Sequence, residues 1–167
     1  ASCSKELRET CALVGELDAL VAIAAARKTQ RVCVPEFSDA RGVLFSGIVH
    51  PLVENPVPND GEWTKSTLVT GSNASGKSTF IKALAVNAIL AQTIHTCFAD
   101  RLEMGRARVM SSMAIRDNVQ ACESYFVTEI KSLKRILDAA GEGGPVVAFV
   151  DEILRGTNTI ERIAASS

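Results

Sequence analysis

Eight residues constrain this chain more than any other stretch: Gly71-Ser72-Asn73-Ala74-Ser75-Gly76-Lys77-Ser78 fits G-x-x-x-x-G-K-[ST] at every fixed position. The string carries meaning when a strand feeds it and a helix leaves it. Thr64 to Thr70 reads as the strand, and Phe80, Ile81, Leu84, Ala88 and Ala91 recur at helical spacing through Lys77 to Ile94. Glycine at 71 and 76 lets the backbone curl with successive N–H groups inward, and the positive end of the following helix adds its field. This combination predicts a cradle for a nucleoside triphosphate, ATP with Mg²⁺. Gly71, Ser72, Asn73, Ala74, Ser75, Gly76, Lys77, Ser78 and Thr79 would surround the phosphates, Lys77 neutralising β- and γ-phosphate charge and the Ser78 hydroxyl entering the Mg²⁺ shell. A glycine-rich turn without ligand is the competing reading, and the flanking elements argue against it.

The remaining texture sets the fold class. Apolar residues from Leu7 to Ala26 follow two helical tracks, Leu7, Cys11, Val14 and Val21 beside Leu13, Leu17, Leu20 and Ala24. Two roles stand open for this helix, the tail of a longer one or a cover for the sheet. Short β-like runs follow at Arg31 to Val34 and Val43 to Val49. Asn55 to Glu62, with two prolines, is a connector that cannot be helix or inner strand. Downstream, Ala107 to Met113 reads as a strand, Ser124 to Ala140 as a helix, and Pro145 to Val150 as a buried strand. The alternation predicts an α/β fold with a largely parallel central sheet flanked by helices.

The bulk numbers exclude several classes. The chain has 167 residues, 47% hydrophobic, enough for one domain with a core, and a formal net charge of -1 that supplies no broad basic field for nucleic acid. Five scattered cysteines without a C-x-x-C pair read as reduced thiols of a cytoplasmic protein rather than a disulfide frame or zinc site. No apolar run approaches a membrane span, and the first residues do not resemble a signal peptide.

A second constellation lies about 70 residues beyond the loop. Val146 to Val150 is an apolar strand ending in Asp151-Glu152, which places two carboxylates at the carboxyl edge of the sheet, where the loop also sits. Asp151 is expected to hold Mg²⁺, directly or through water, and Glu152 to polarise the water that attacks the γ-phosphate. Two exposed acids at a strand end are the plainer alternative.

With both stretches in view, Thr70 to Thr79 and Asp151-Glu152-Ile153-Leu154-Arg155-Gly156-Thr157-Asn158-Thr159 resemble the ATPase domain of the MutS family of DNA mismatch-repair proteins. There the loop reads T-G-P-N-M-G-G-K-S-T and the acid motif D-E-[IL]-G-R-G-T-S-T. The resemblance implies a P-loop NTPase of the ABC type. Asp117 to Glu129 is similar to the family segment D-D-L-x-x-G-x-S-T-F-x-x-E. This makes Ser124 the candidate for a contact to the γ-phosphate of a partner subunit, with an ordinary helix N-cap as its alternative. His50-Pro51-Leu52-Val53-Glu54 resembles the family's H-P-x-x-E, and Asn55 to Asn59 is the candidate adenine-side segment.

The resemblance implies residues 1–30 as the end of a connecting lever helix. It implies 31–167 as the ATPase domain, incomplete at its C-terminus, since the family places a strand and a switch histidine further on and His50 and His95 lie upstream. Such a piece is expected to bind nucleotide weakly and turn it over near background. The implied partners are a second copy, joined through the nucleotide site, and DNA, held by domains outside this chain. No membrane contact is indicated. Departures point to a divergent branch: Ser72, Ala74, Ser75, Leu154 and Asn158 replace family residues, and Cys122 and Tyr125 stand where glycine and threonine are usual. The alternative function is a nucleotide-gated interaction module with negligible hydrolysis. A phosphotransferase fits the loop but not Arg155-Gly156-Thr157.

Overall fold

The computed structural model describes residues 2–39, 42–72, 74–113 and 125–151. The chain opens with helix α1 (Ser2–Thr29), whose last turn carries Arg27 and Lys28 against the negative end of the helix. Leu7, Leu13, Val14, Leu17, Leu20 and Val21 are all more than half exposed. The apolar tracks therefore do not cover the sheet, and α1 meets the rest of the described structure only near its end, where Ile23 and Ala26 are half-buried.

Strands β1 (Glu36–Phe37), β2 (Val43–Ile48), β3 (Asn59–Trp63) and β4 (Arg101–Met104) form one sheet in the order β1-β4-β2-β3. Only β1 and β4 run parallel; β2 is antiparallel to both neighbours. A second sheet pairs β5 (Arg108–Ser112) with β6 (Val146–Val150) in parallel, Arg108 opposite Val146 and Ser112 opposite Val150. Helix α3 (Tyr125–Gly141) connects them, as a parallel pair requires. The fold is α/β, but the expectation of a largely parallel central sheet is corrected to a mixed one. The reason is local: the turn-rich connector after β2 is short enough to return the chain beside it as a hairpin. Within that connector β3 is an edge strand, where its neighbouring prolines leave no ladder bond unmade.

Near its far end the β2–β3 ladder breaks. The register shifts between Phe45 and Ile48, where Gly47 adopts φ 62°. Asp60 fills the gap, accepting from Gly47 N at 2.6 Å and from the Ser46 hydroxyl at 2.8 Å. A bulge needing a left-handed residue explains this glycine.

The core forms where α2 (Lys77–Ile94) lies against both sheets. Leu84, Ala85, Ala88 and Ala91 pack with Phe45 and Ile48 of β2, Leu102 and Met104 of β4, and Phe149 of β6. Its alanine-rich face lets the helix approach closely without voids. At its first turn Phe80 joins Phe45 and Trp63 in an aromatic trio with centroids 5.5 to 5.9 Å apart. Gly61 is required there, since a Cβ would stand 2.5 Å from the Phe45 ring. Midway along α2 the fully buried Asn87 donates to the carbonyls of Val49 and Ala83, each at 2.9 Å, and accepts from Phe98 N at 2.6 Å.

Candidate functional site

The strand expected over Thr64 to Thr70 is absent: after β3 the chain is irregular, with Leu68 87% exposed. Valine and threonine favour strand, but among the described residues nothing pairs with this segment, and β propensity without a partner does not make a ladder. The helix after the loop begins at Lys77 and ends at Ile94, as its periodicity predicts.

The junction between loop and helix is well defined. Gly76 caps α2 in a left-handed conformation, φ 88° and ψ 6°, and its carbonyl accepts the first helical bond from Phe80 N at 2.9 Å. No acidic side chain occupies the first turn, so the N–H groups of Lys77, Ser78 and Thr79 and the helix field face the loop without a neutralising carboxylate. Ala74, a non-glycine residue, is also left-handed at φ 63°, and Ser75 N closes onto Ser72 O at 3.3 Å. The Lys77 ammonium reaches across this turn and donates to Gly71 O at 2.6 Å and Ser72 O at 2.5 Å. The loop thus offers a cation, three first-turn donors and no anion, a donor set that fits a polyphosphate.

The acid strand is brought to the same helix. Phe149 and Val147 of β6 and Val109 of β5 pack in the α2 cluster. Gln92, near the end of α2, accepts from Ala107 N at 2.9 Å as β5 begins. Strand β6 runs parallel to β5. Asp151 N extends the ladder by donating to Ser112 O at 3.0 Å, leaving its half-buried side chain at the strand tip.

Asn73, Ser124 and Glu152 lie outside the described residues, as do Cys122 and the Arg155-Gly156-Thr157 stretch. The described residues hold no group of three or more His, Cys, Asp or Glu able to take a metal alone. Mg²⁺ does not require one, because it keeps waters and substrate phosphate oxygens among its ligands. Of the protein ligands expected for it, Ser78 stands in the first turn of α2 and Asp151 at the tip of β6. His95 is the left-handed C-cap of α2, φ 48°, edge-on to Phe37 at 5.8 Å. His50 accepts from Leu52 N at 3.2 Å within its own turn. A separate cleft of about 470 Å³ between α3 and β5 is lined by Arg108, Lys131, Lys134, Arg135, Asp138 and Glu142. Arg108 is already paired with Glu142 there at 2.9 Å, and the cleft is a mixed-charge groove that includes no residue of the loop motif.

Sequence reasoning missed Arg27 and Asn87, which tie α2 to its surroundings. A lone arginine near a helix end and a lone asparagine on an apolar face carry no spacing signal.

Residues 67–167 match the MutS domain V family. The DNA mismatch repair protein MutS of Natronomonas pharaonis is 34% identical over 167 residues, covering 95% of this chain and 19% of that protein. Its counterpart from Methanosarcina barkeri is 33% identical over 168 residues, 95% of this chain and 18% of the relative. That from Chlorobium phaeovibrioides is 28% identical over 166 residues, 93% and 19%. The chain spans about a fifth of the length of these relatives. No helix among the described residues is long and apolar enough to cross a membrane.

Proposed function

The chain belongs to the MutS family through domain V, and on that premise we propose that it is an ATPase domain binding ATP with Mg²⁺ at the loop that opens α2. The observation that carries this reading is the Gly76–Lys77 junction, where a left-handed glycine starts a helix with no acid in its first turn and the lysine ammonium bridges the loop. In this reading residues 71–79 wrap the phosphates and Lys77 exchanges its two carbonyl partners for phosphate oxygens. Ser78 and Asp151 share the Mg²⁺. Glu152 orients and polarises the attacking water, and positioning plus charge stabilisation supplies most of the catalysis.

The site closes between two copies, with Ser124 approaching the γ-phosphate held by the other. In the protein that carries this domain, closure is coupled through α1 to parts that hold DNA. The relatives bear the name of mismatch repair, and the coupling to DNA rests on that similarity together with the position of α1 at the end of α2.

The test uses Trp63, the single tryptophan, whose ring lies 5.7 Å from Phe80 in the first turn of α2. MgATP should change its fluorescence saturably, and Lys77→Ala should remove that change. Turnover, measured in the assembled dimer of the longer protein that carries this domain, should fall in Glu152→Gln while binding persists. Unaltered affinity in Lys77→Ala refutes the phosphate site, and undiminished turnover in Glu152→Gln refutes the role of Glu152. A second reading, a gated module that binds without hydrolysing, is favoured by Cys122 and Tyr125 in the segment of Ser124. Saturable binding with background turnover in an assembled dimer would select it.

A further inference from the structure

Cys33 and Cys97 are 64 residues apart in sequence and share no motif, yet the fold sets them face to face. Cys33 N donates to Cys97 O at 2.9 Å and Cys97 N to Cys33 O at 3.0 Å, an isolated antiparallel bridge. A pair exchanging both bonds holds its Cα atoms about 5.5 Å apart, within the roughly 4.4–6.8 Å that a disulfide spans. Opposed residues of an antiparallel pair also share a face. Here the two sulfurs lie 3.4 Å apart, both as free thiols. Cys97 is fully buried, and Cys33 is partly open to solvent.

We propose that Cys33 and Cys97 form a redox modification site, an internal dithiol that a peroxide converts reversibly to a disulfide. Cys33, the accessible member, attacks first as its thiolate. A sulfur–oxygen bond forms, the peroxide O–O bond breaks, and one water leaves after taking up the thiol proton. Cys97 then displaces the hydroxyl of the Cys33 sulfenic acid: the S–S bond forms, the S–O bond breaks, and the Cys97 proton leaves with the second water. Two thiols lose two electrons and hydrogen peroxide becomes two waters. The order follows from the surroundings, since burial, and then its contact with Cys33, pushes the Cys97 thiol up and suits it to resolve rather than initiate.

The position gives the reaction a consequence. Cys33 follows α1 and Cys97 follows α2, next to the His95 carbonyl and Thr96 hydroxyl that Arg27 of α1 engages. A disulfide would replace an exchangeable joint between the two helix ends with a covalent one. It stands independently of the nucleotide reading.

The experiment treats the chain with graded hydrogen peroxide, blocks residual thiols with N-ethylmaleimide under denaturing conditions, and maps unreduced tryptic peptides by mass spectrometry. The expected product is a linked pair of peptides containing Cys33 and Cys97, lost on reduction with dithiothreitol, together with a higher melting midpoint that reduction reverses. Cys33→Ser should remove the link and Cys11→Ser should leave it intact. Recovery of Cys33 and Cys97 as alkylated thiols, at peroxide doses that oxidise the exposed Cys11, overturns the proposal. So does linkage found only between chains. If Cys33→Ser does not fold, the peptide map of the unsubstituted chain decides alone.

Discussion

Arg27, in the last turn of α1, donates through Nε to the Thr96 hydroxyl at 2.9 Å and through Nη2 to the His95 carbonyl at 2.8 Å, across 69 and 68 residues of sequence. The guanidinium thereby meets the negative end of α2 at its left-handed cap, where helix carbonyls lack partners.

Replacing Arg27 should loosen that joint. Arg27→Ala is expected to lower stability by about 1 kcal/mol, a charged hydrogen bond discounted for exposure. Arg27→Lys should recover only part, because an ammonium lacks the planar fork that serves two acceptors at once. The check is a shift in the urea midpoint at unchanged slope; a midpoint equal to the parent's would remove Arg27 from the joint.

Two described residues of the loop, Gly76 and Ala74, are left-handed, and only the glycine suits that conformation. Gly76 has open space around a would-be Cβ, so Gly76→Ala carries backbone strain alone, about 1–2 kcal/mol. Ala74, at φ 63°, already bears such strain, and Ala74→Gly should release about 1 kcal/mol. Thermal melting of the two variants should move in opposite directions, and shifts of the same sign would contradict the assignment.

Asn87 is completely buried and uses both donors and its acceptor. Asn87→Leu keeps the branched shape but strands Phe98 N and Val49 O, at a cost of about 2–4 kcal/mol. Denaturant unfolding reads it directly. A loss under about 1 kcal/mol would mean that water or relaxation satisfies those groups.

Asp60 links stability to acid pH. Gly47 N–H and then the Ser46 hydroxyl donate to its ionised form and hold the carboxyl below the usual 3.8, against a small opposing desolvation. A folded value below the unfolded one contributes stability that is present above the unfolded value and lost as pH falls through the folded value. The difference in urea midpoint between the parent and Asp60→Asn should therefore be largest near neutrality and shrink below about pH 4. A difference independent of pH would assign the effect to shape rather than charge.

What the sequence made legible follows the range of each signal. Helix α2 was readable to the residue, since glycine and lysine mark its start and an apolar period carries it to Ile94. Strands β5 and β6 and helix α3 lie within a residue or two of their expected limits. Arg101-Leu102-Glu103-Met104 alternates charged with buried apolar residues, but four residues are too few to separate a strand from chance. Thr64 to Thr70 shows the opposite failure, local β preference without a partner to realise it. The Cys33–Cys97 bridge and the Arg27 joint are contacts across more than sixty residues, decided by packing that no local window contains.

The lysine that closes across the loop has a thermodynamic consequence for any occupant. Lys77 already holds two carbonyl oxygens, so an arriving phosphate gains only the difference between its own attraction and theirs. On the proposed reading binding is an exchange: a ligand long enough to place charge at the ammonium would displace both carbonyls, whereas a shorter one would leave both hydrogen bonds in place.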